Sequence, residues 1–248
     1  RKALSMAIDR DIIDEAGYGE AGKPTCNIVP APDIYISKTN DWCLKQDIAG
    51  ANKLLDDAGW KKGGDGIRAK NGVKLSFLYQ TSTNSVRQGT QQLVKEWWKE
   101  IGVETELRNI PASVYFGSDP ASPDTYKKFY ADVEMYASGY ETTDPAKFLA
   151  DFRCDKIPSP ADGWQGGNVA RFCDPAYDAL VTELSGTEGR ERRGAIIKKL
   201  NDMLVNGGYV IPVVNRGEPS AIANSLVDAK INPWDTQLWN IESWKRGK

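Results

Sequence analysis

An α/β fold is predicted from three neighbouring segments. Residues 74–80 alternate Leu75, Phe77 and Tyr79 with Ser76 and Gln80, the period of a strand with one buried face. Residues 85–101 set Val86, Leu93, Val94, Trp97 and Ile101 on one helical stripe, closed by Gly102. Residues 103–108 alternate again, with Val103, Thr105 and Leu107 opposed to Glu104, Glu106 and Arg108. Strand, helix and strand in that order make a parallel pair joined by a right-handed crossover.

The other elements follow in chain order. Ala3, Leu4, Ala7, Ile8 and Ile12 recur at helical spacing from the first residues onward, so the chain is expected to be a fragment that opens inside an amphipathic helix. Residues 26–43 carry Pro30, Pro32 and Asn40 and read as a surface loop. Ile48, Ala51, Leu54, Leu55 and Ala58 form the next helix, with Gly59 as its stop. Residues 61–72 are polar and Gly-rich and read as turns; residues 111–125 form a loop around Pro111, Pro120 and Pro123. A helix is expected near residues 126–130, and a short strand over 132–136. Pro145 is placed to start a short helix reaching Phe152. Residues 157–167 are a further Pro/Gly loop. Asp174 and Pro175 are an N-cap and first helical residue, continued by Tyr177, Leu180, Val181 and Leu184. A last helix from about Glu188 carries Ile196, Ile197, Leu200, Met203 and Leu204 and stops at Gly207 and Gly208. Residues 209–214 are a short apolar run, read as a buried strand, and the tail with Trp234, Trp239 and Trp244 has little periodicity.

Composition narrows the function. The 248 residues are 40% hydrophobic and 27% charged, a globular balance with ample core. A net charge of -2 lacks the clustered basic surface that nucleic acid requires. No apolar run is long enough to span a membrane. The absence of histidine excludes Ser-His-Asp and Cys-His catalysis and leaves a zinc site without its usual ligands. Gly63, Gly64 and Gly66 follow a helix and precede a turn, so they form neither a P-loop nor a dinucleotide fingerprint. Acidic pairs such as Asp56/Asp57 and Asp41/Asp47 are what 34 acidic residues give by chance on solvated faces, although a secreted hydrolase could use such a pair. No cofactor or metal is implied. Among eight tryptophans, Trp97 sits on a core stripe, whereas Trp164, in a Gly-rich loop beside Asn168 and Arg171, is the better ligand contact.

Cys26, Cys43, Cys154 and Cys173 allow three pairings. Two local disulfides, Cys26–Cys43 and Cys154–Cys173, are expected, because each would close an irregular Pro- or Gly-containing loop. Such closure is worth about 3 kcal/mol through restriction of the unfolded chain. Four reduced, buried thiols are the alternative.

Several strings together resemble one family. RKALSMAIDR at residues 1–10 resembles the helix that begins the second lobe of the peptide-binding, family 5, solute-binding proteins of ABC transporters. LLDDAGW at 54–60 with DGIR at 65–68, Asn84, Arg87, Trp98, IGV at 101–103, NVARFCDP at 168–175 with Tyr177 and Asp178, and IPVVNR at 211–216 match later stretches. The resemblance covers essentially the whole chain through the order and spacing of these strings.

It implies a lobe of the type II periplasmic-binding-protein fold, with a mixed sheet flanked by helices. Residues 1–208 would form lobe II, and 209–248 would be a hinge strand and C-terminal segment returning to a lobe I that the chain lacks. It further implies a non-enzymatic, monomeric, periplasmic binder that closes on a small peptide and passes it to ABC permease subunits. Sugar conjugates and metal chelates are alternative solutes. An oxidising compartment supports both disulfides. In peptide-binding members an acidic residue four positions before a proline pairs with the ligand's α-amino group. The corresponding string GYETTDP at 139–145 puts Glu141 in that role, where the family more often has Asp. Gly139, Tyr140, Asn168, Trp164 and Arg171 are the further residues expected along the cleft wall.

Overall fold

The computed structural model describes residues 1–140, 142–217, 220–232 and 235–247. Its chain order is α1 (Lys2–Met6), α2 (Arg10–Gly17), β1 (Gly22–Pro24), α3 (Ile48–Asp57), β2 (Lys61–Lys62), β3 (Arg68–Lys70), β4 (Val73–Lys74), β5 (Ser76–Ser82), α4 (Ser85–Glu100), β6 (Glu104–Ile110), α5 (Ala112–Tyr115), β7 (Val133–Met135), α6 (Ala146–Ala150), α7 (Pro175–Gly186), α8 (Arg190–Asn206), β8 (Val214–Arg216), β9 (Leu226–Val227) and β10 (Lys245–Arg246). The α/β class holds.

The expected strand–helix–strand unit is the centre of the molecule. β5 pairs in parallel with β6 from Ser76↔Glu104 to Ser82↔Ile110, and with β7 on its other edge from Tyr79↔Val133 to Thr81↔Met135. The crossover helix α4 starts at Asn84, whose side chain accepts from the Arg87 amide at 3.1 Å, and ends before Gly102 at φ 80°. Its apolar face seats Val94 and Trp98 on Tyr79, with the Tyr79 and Trp98 rings stacked at 5.6 Å. Leu4, Ile13 and Leu55 close this core from α1, α2 and α3, with Ile8 from the turn between the first two, and the Trp98 indole donates to the Leu4 carbonyl at 3.0 Å. A second core lies between α6, α7 and α8, where Leu149, Tyr177, Leu184, Ile197, Leu200 and Leu204 meet Val29 and Tyr35. Asn201 ties that core to the 26–43 segment, its carbonyl accepting from the Ile28 and Val29 amides at 2.9 and 3.3 Å.

Both local disulfides are present, with Cα atoms 5.9 Å apart for Cys26–Cys43 and 4.6 Å for Cys154–Cys173. The first loop is less of a surface feature than its prolines imply, since Val29, Tyr35, Asn40 and Cys43 are buried. Several expected elements differ. The opening helix is two helices, because the Asp9 carboxylate caps a new one by accepting from the Ile12 amide at 3.0 Å. This shift buries Ile13 and exposes Ile12. The 61–72 turns belong to a small antiparallel sheet of order β2-β3-β4. The helix near 126–130 is a 3₁₀ turn, Tyr126–Lys128, stopped by Phe129 at φ 52°. Residues 209–213 form no ladder; Pro212 has no amide to donate and its carbonyl accepts from Arg10, so the strand begins only at Val214 and pairs antiparallel with β1. β9 and β10 form a separate hairpin.

Candidate functional site

In open parallel sheets, ligands sit beyond the carboxyl ends of the strands. Here that edge is where β5 stops at Ser82 and β7 at Met135. Arg87, on the first turn of α4, reaches back to donate to Ser82 Oγ at 2.7 Å, and its guanidinium lies 5.3 Å from the Phe116 ring. Among the described residues its remaining donors have no carboxylate partner. From Phe116 a run of rings follows: Tyr126 at 5.5 Å, and Tyr136 at 4.9 Å from Tyr126. Tyr115 packs at the base, 4.9 Å from Phe116 and 5.5 Å from Tyr126. Guanidinium and aromatic faces of this kind suit an extended polar ligand with a carboxylate.

Beneath the rings lies an ionisable side chain. Glu134 Oε2 is 3.0 Å from the Tyr115 hydroxyl, and Gln80 Nε2 donates to Glu134 Oε1 at 3.3 Å. Burial pushes this carboxyl up to about 8, against the pull of Tyr115, Arg108 and Gln80.

From β7 the chain runs through 136–144 to α6. Tyr140 anchors this segment: its hydroxyl donates to the Ala31 carbonyl and its ring packs 5.5 Å from Phe148. Burial pushes its phenol up to about 12. Asp144 fixes the other end, accepting from the Ala146 amide at 2.9 Å and from Arg193 Nη2 at 2.5 Å. Thr142, between the anchors, and Gly139, just before Tyr140, are exposed. Glu141 lies outside the described residues. A hollow of about 490 Å³ opens beside Asp144, lined by Pro32, Tyr35, Thr143, Arg190 and Arg193.

The other expected wall residues form a separate group. Trp164, half-buried at φ 64°, has the Lys128 ammonium 5.4 Å and the Arg171 guanidinium 5.9 Å from its ring. Arg171 donates to the carbonyls of Pro158 at 3.1 Å and Lys128 at 2.9 Å, which ties the loop after α6 to the 126–128 turn. Asn168 is fully buried, and its amide nitrogen is spent on the carbonyls of Phe152, Arg153 and Phe172. That bonding makes Asn168 a brace for the Cys154–Cys173 loop. Ser82, Phe116, Tyr126 and Tyr136 were not singled out from the sequence. The usable signal was positional, since Ser82 ends a strand and Tyr136 follows one. Among the described residues no group of three or more His, Cys, Asp or Glu side chains could hold a metal ion, and no helix is long and apolar enough to cross a membrane.

Comparison with known proteins identifies the family and the fold. Residues 1–158 match the family model for bacterial extracellular solute-binding proteins, family 5 Middle. Protein XP55 of Streptomyces lividans is 34% identical over 214 residues, covering 84% of this chain and 36% of its own length. Di/tripeptide-binding protein 3 of Pseudomonas aeruginosa is 24% identical, covering 94% of this chain and 40% of its own. The crystal structure of the oligopeptide binding protein from Thermus thermophilus, complexed with a pentapeptide, superposes with a TM-score of 0.78 at 21% identity, over 95% of this chain and 40% of that one. This chain thus spans about two fifths of the relatives it matches, and its fold is that of a type II periplasmic-binding-protein lobe. The chain belongs to the bacterial extracellular solute-binding proteins of family 5.

Proposed function

We propose that this family 5 solute-binding lobe holds one side of a peptide at the carboxyl edge of its parallel sheet. In the intact protein a second lobe closes on the other side, and the loaded protein delivers the peptide to ABC permease subunits from an extracytoplasmic compartment. The observation that carries the reading is the anchored 136–144 segment, which leaves β7 beside Ser82 and Arg87 and bears Glu141 between the exposed Gly139 and Thr142. An ammonium leaving water needs a charged partner, and a carboxylate four residues before Pro145 supplies it. Gly139 leaves room for the ligand to approach, since a Cβ there would meet nothing within 4 Å. A di/tripeptide-binding relative and two disulfides suited to an oxidising compartment support the same reading. The role is binding, without catalysis.

The hinge is proposed at residues 209–217, where β8 pairs with β1, and the segment beyond it belongs to the second lobe. Ile222, Ile231, Leu238, Trp239 and Ile241 are exposed in that segment, an apolar surface for packing there. Glu141→Gln in the intact protein is expected to weaken peptide binding by about 10- to 100-fold, the worth of a charge-assisted bond, with an unchanged melting temperature. Equal affinity in calorimetry would remove Glu141 from the site, and binding of a sugar conjugate with no peptide binding would replace the ligand class.

A further inference from the structure

Arg216 ends β8, at the point where the proposed hinge leaves the lobe. β1 and β8 run antiparallel, with Gly22 facing Arg216 and Pro24 facing Val214. The Gly217 amide donates to the Ala21 carbonyl and the Thr25 amide to the Val213 carbonyl. Gly22 and Arg216 are therefore a pair with no hydrogen bond between them, the closer kind in an antiparallel ladder. Facing residues project on the same side, with Cβ atoms about 5 Å apart. On this side Val214 packs against the first core and α2 lies over Gly22. A Cβ at Gly22 would come 1.7 Å from Asp14 Oδ1 and 2.6 Å from Tyr18 Cβ, so the Asp14 carboxylate stands where a Gly22 side chain would be. That sets it about 5 Å from the Cβ of Arg216, within the span of an arginine side chain.

The two groups are complementary, and each lacks a partner. Asp14 Oδ1 is buried, and no donor among the described residues reaches it. An acceptor left in that state costs its full desolvation. Arg216 is exposed and joins no ion pair among the described residues. Asp11 and Glu15, the other acidic residues of α2, are exposed.

We propose that Asp14 and Arg216 form a charge clamp that fastens the last residue of β8 to α2 and fixes the pivot of the hinge at Gly217. This rests on the reading of residues 209–217 as the hinge. α2 belongs to the lobe, and the chain past Gly217 to the second lobe, so a clamp here decides where bending begins. With the clamp made, motion starts beyond Arg216. With it broken, β8 peels from β1, the lobes sample more orientations, and fewer of these can close on a peptide.

The test is amide hydrogen exchange on the intact protein, read at Gly217 and Thr25, with calorimetry against a mixed tripeptide library. The proteins are the wild type, Arg216→Gln, Asp14→Asn and their double variant, with Asp11→Asn as a control background. Arg216→Gln should speed exchange at Gly217 about tenfold, the worth of one charge-assisted bond, and by less than about twofold when Asp14→Asn is already present. In the Asp11→Asn background the tenfold effect should persist in full. Apparent library affinity should fall about threefold or more in Arg216→Gln and no further in the double variant. Unaltered exchange, or an equal effect of Arg216→Gln with and without Asp14→Asn, overturns the clamp. Faster exchange with unaltered affinity overturns its part in closure. Library binding by none of the proteins overturns the peptide reading instead, and the exchange cycle still decides whether the clamp exists.

Discussion

Two buried arginines explain how separate segments are held together, and they do it in different ways. Arg10 is fully buried and, among the described residues, binds no carboxylate; its guanidinium donates to the carbonyls of Ser5, Cys43 and Pro212 and to Ser5 Oγ. Burial without a countercharge pulls it down to about 10. It therefore joins α1, the first disulfide and the irregular segment before β8. Arg68 is nearly as buried and serves Ile101, Trp60 and Asn52 as well as Asp56 at 2.7 Å. Asp56 is more than half exposed, so the ion pair itself adds little. The stability lies in buried carbonyls that nothing else would satisfy. Arg68→Met is expected to cost about 3 kcal/mol in urea denaturation, and Arg68→Lys to recover less than half of it, because an ammonium cannot span the fork of acceptors. The sequence marks Arg68 only through its resemblance string, since a charged residue in a polar stretch carries no sign of burial. Val94 and Ile101 are legible from helical period alone, whereas the period points to Trp97 and the structure buries Trp98 more deeply.

At the scale of elements, pattern length decided what could be read. The β5–α4–β6 unit was plain because seven-residue strands and a sixteen-residue helix repeat their periods several times. β2, β3 and β4 were invisible because strands of two or three residues have no period to show. The ring wall was hidden for another reason. Phe116, Tyr126 and Tyr136 come from three irregular stretches that only the folded chain brings together. The β1–β8 pair depends on close backbone approach. A Cβ at Gly22 would lie 1.7 Å from Asp14 Oδ1, and one at Gly217 would lie 2.3 Å from the Ala21 carbonyl. Gly22→Ala is expected to lower stability by about 2 kcal/mol, and Gly217→Ala by a similar amount, through displacement of β8. Unchanged melting temperatures for both would show that the pair is not held tightly.

At the scale of the whole molecule, two packed cores stand beside a C-terminal stretch in which Ile222, Ile231, Leu238, Trp239 and Ile241 are exposed. The lobe has two cores, each tied to the same Cys26–Cys43 segment through Arg10 and Asn201. Reduction of both disulfides is expected to cost about 2–4 kcal/mol for each bond, seen as a lower denaturation midpoint in reductant. The proposed site lies at an edge of the central sheet where strand ends, a helix start and an anchored loop converge, and its ligand reading depends on an amine meeting Glu141. Calorimetry of the intact protein with a matched pair of peptides, one with a free amino terminus and one acetylated, tests that reading most directly. The free peptide should bind, and acetylation should weaken it at least tenfold by removing the charge; equal affinity for the pair, or no binding of either, would contradict it.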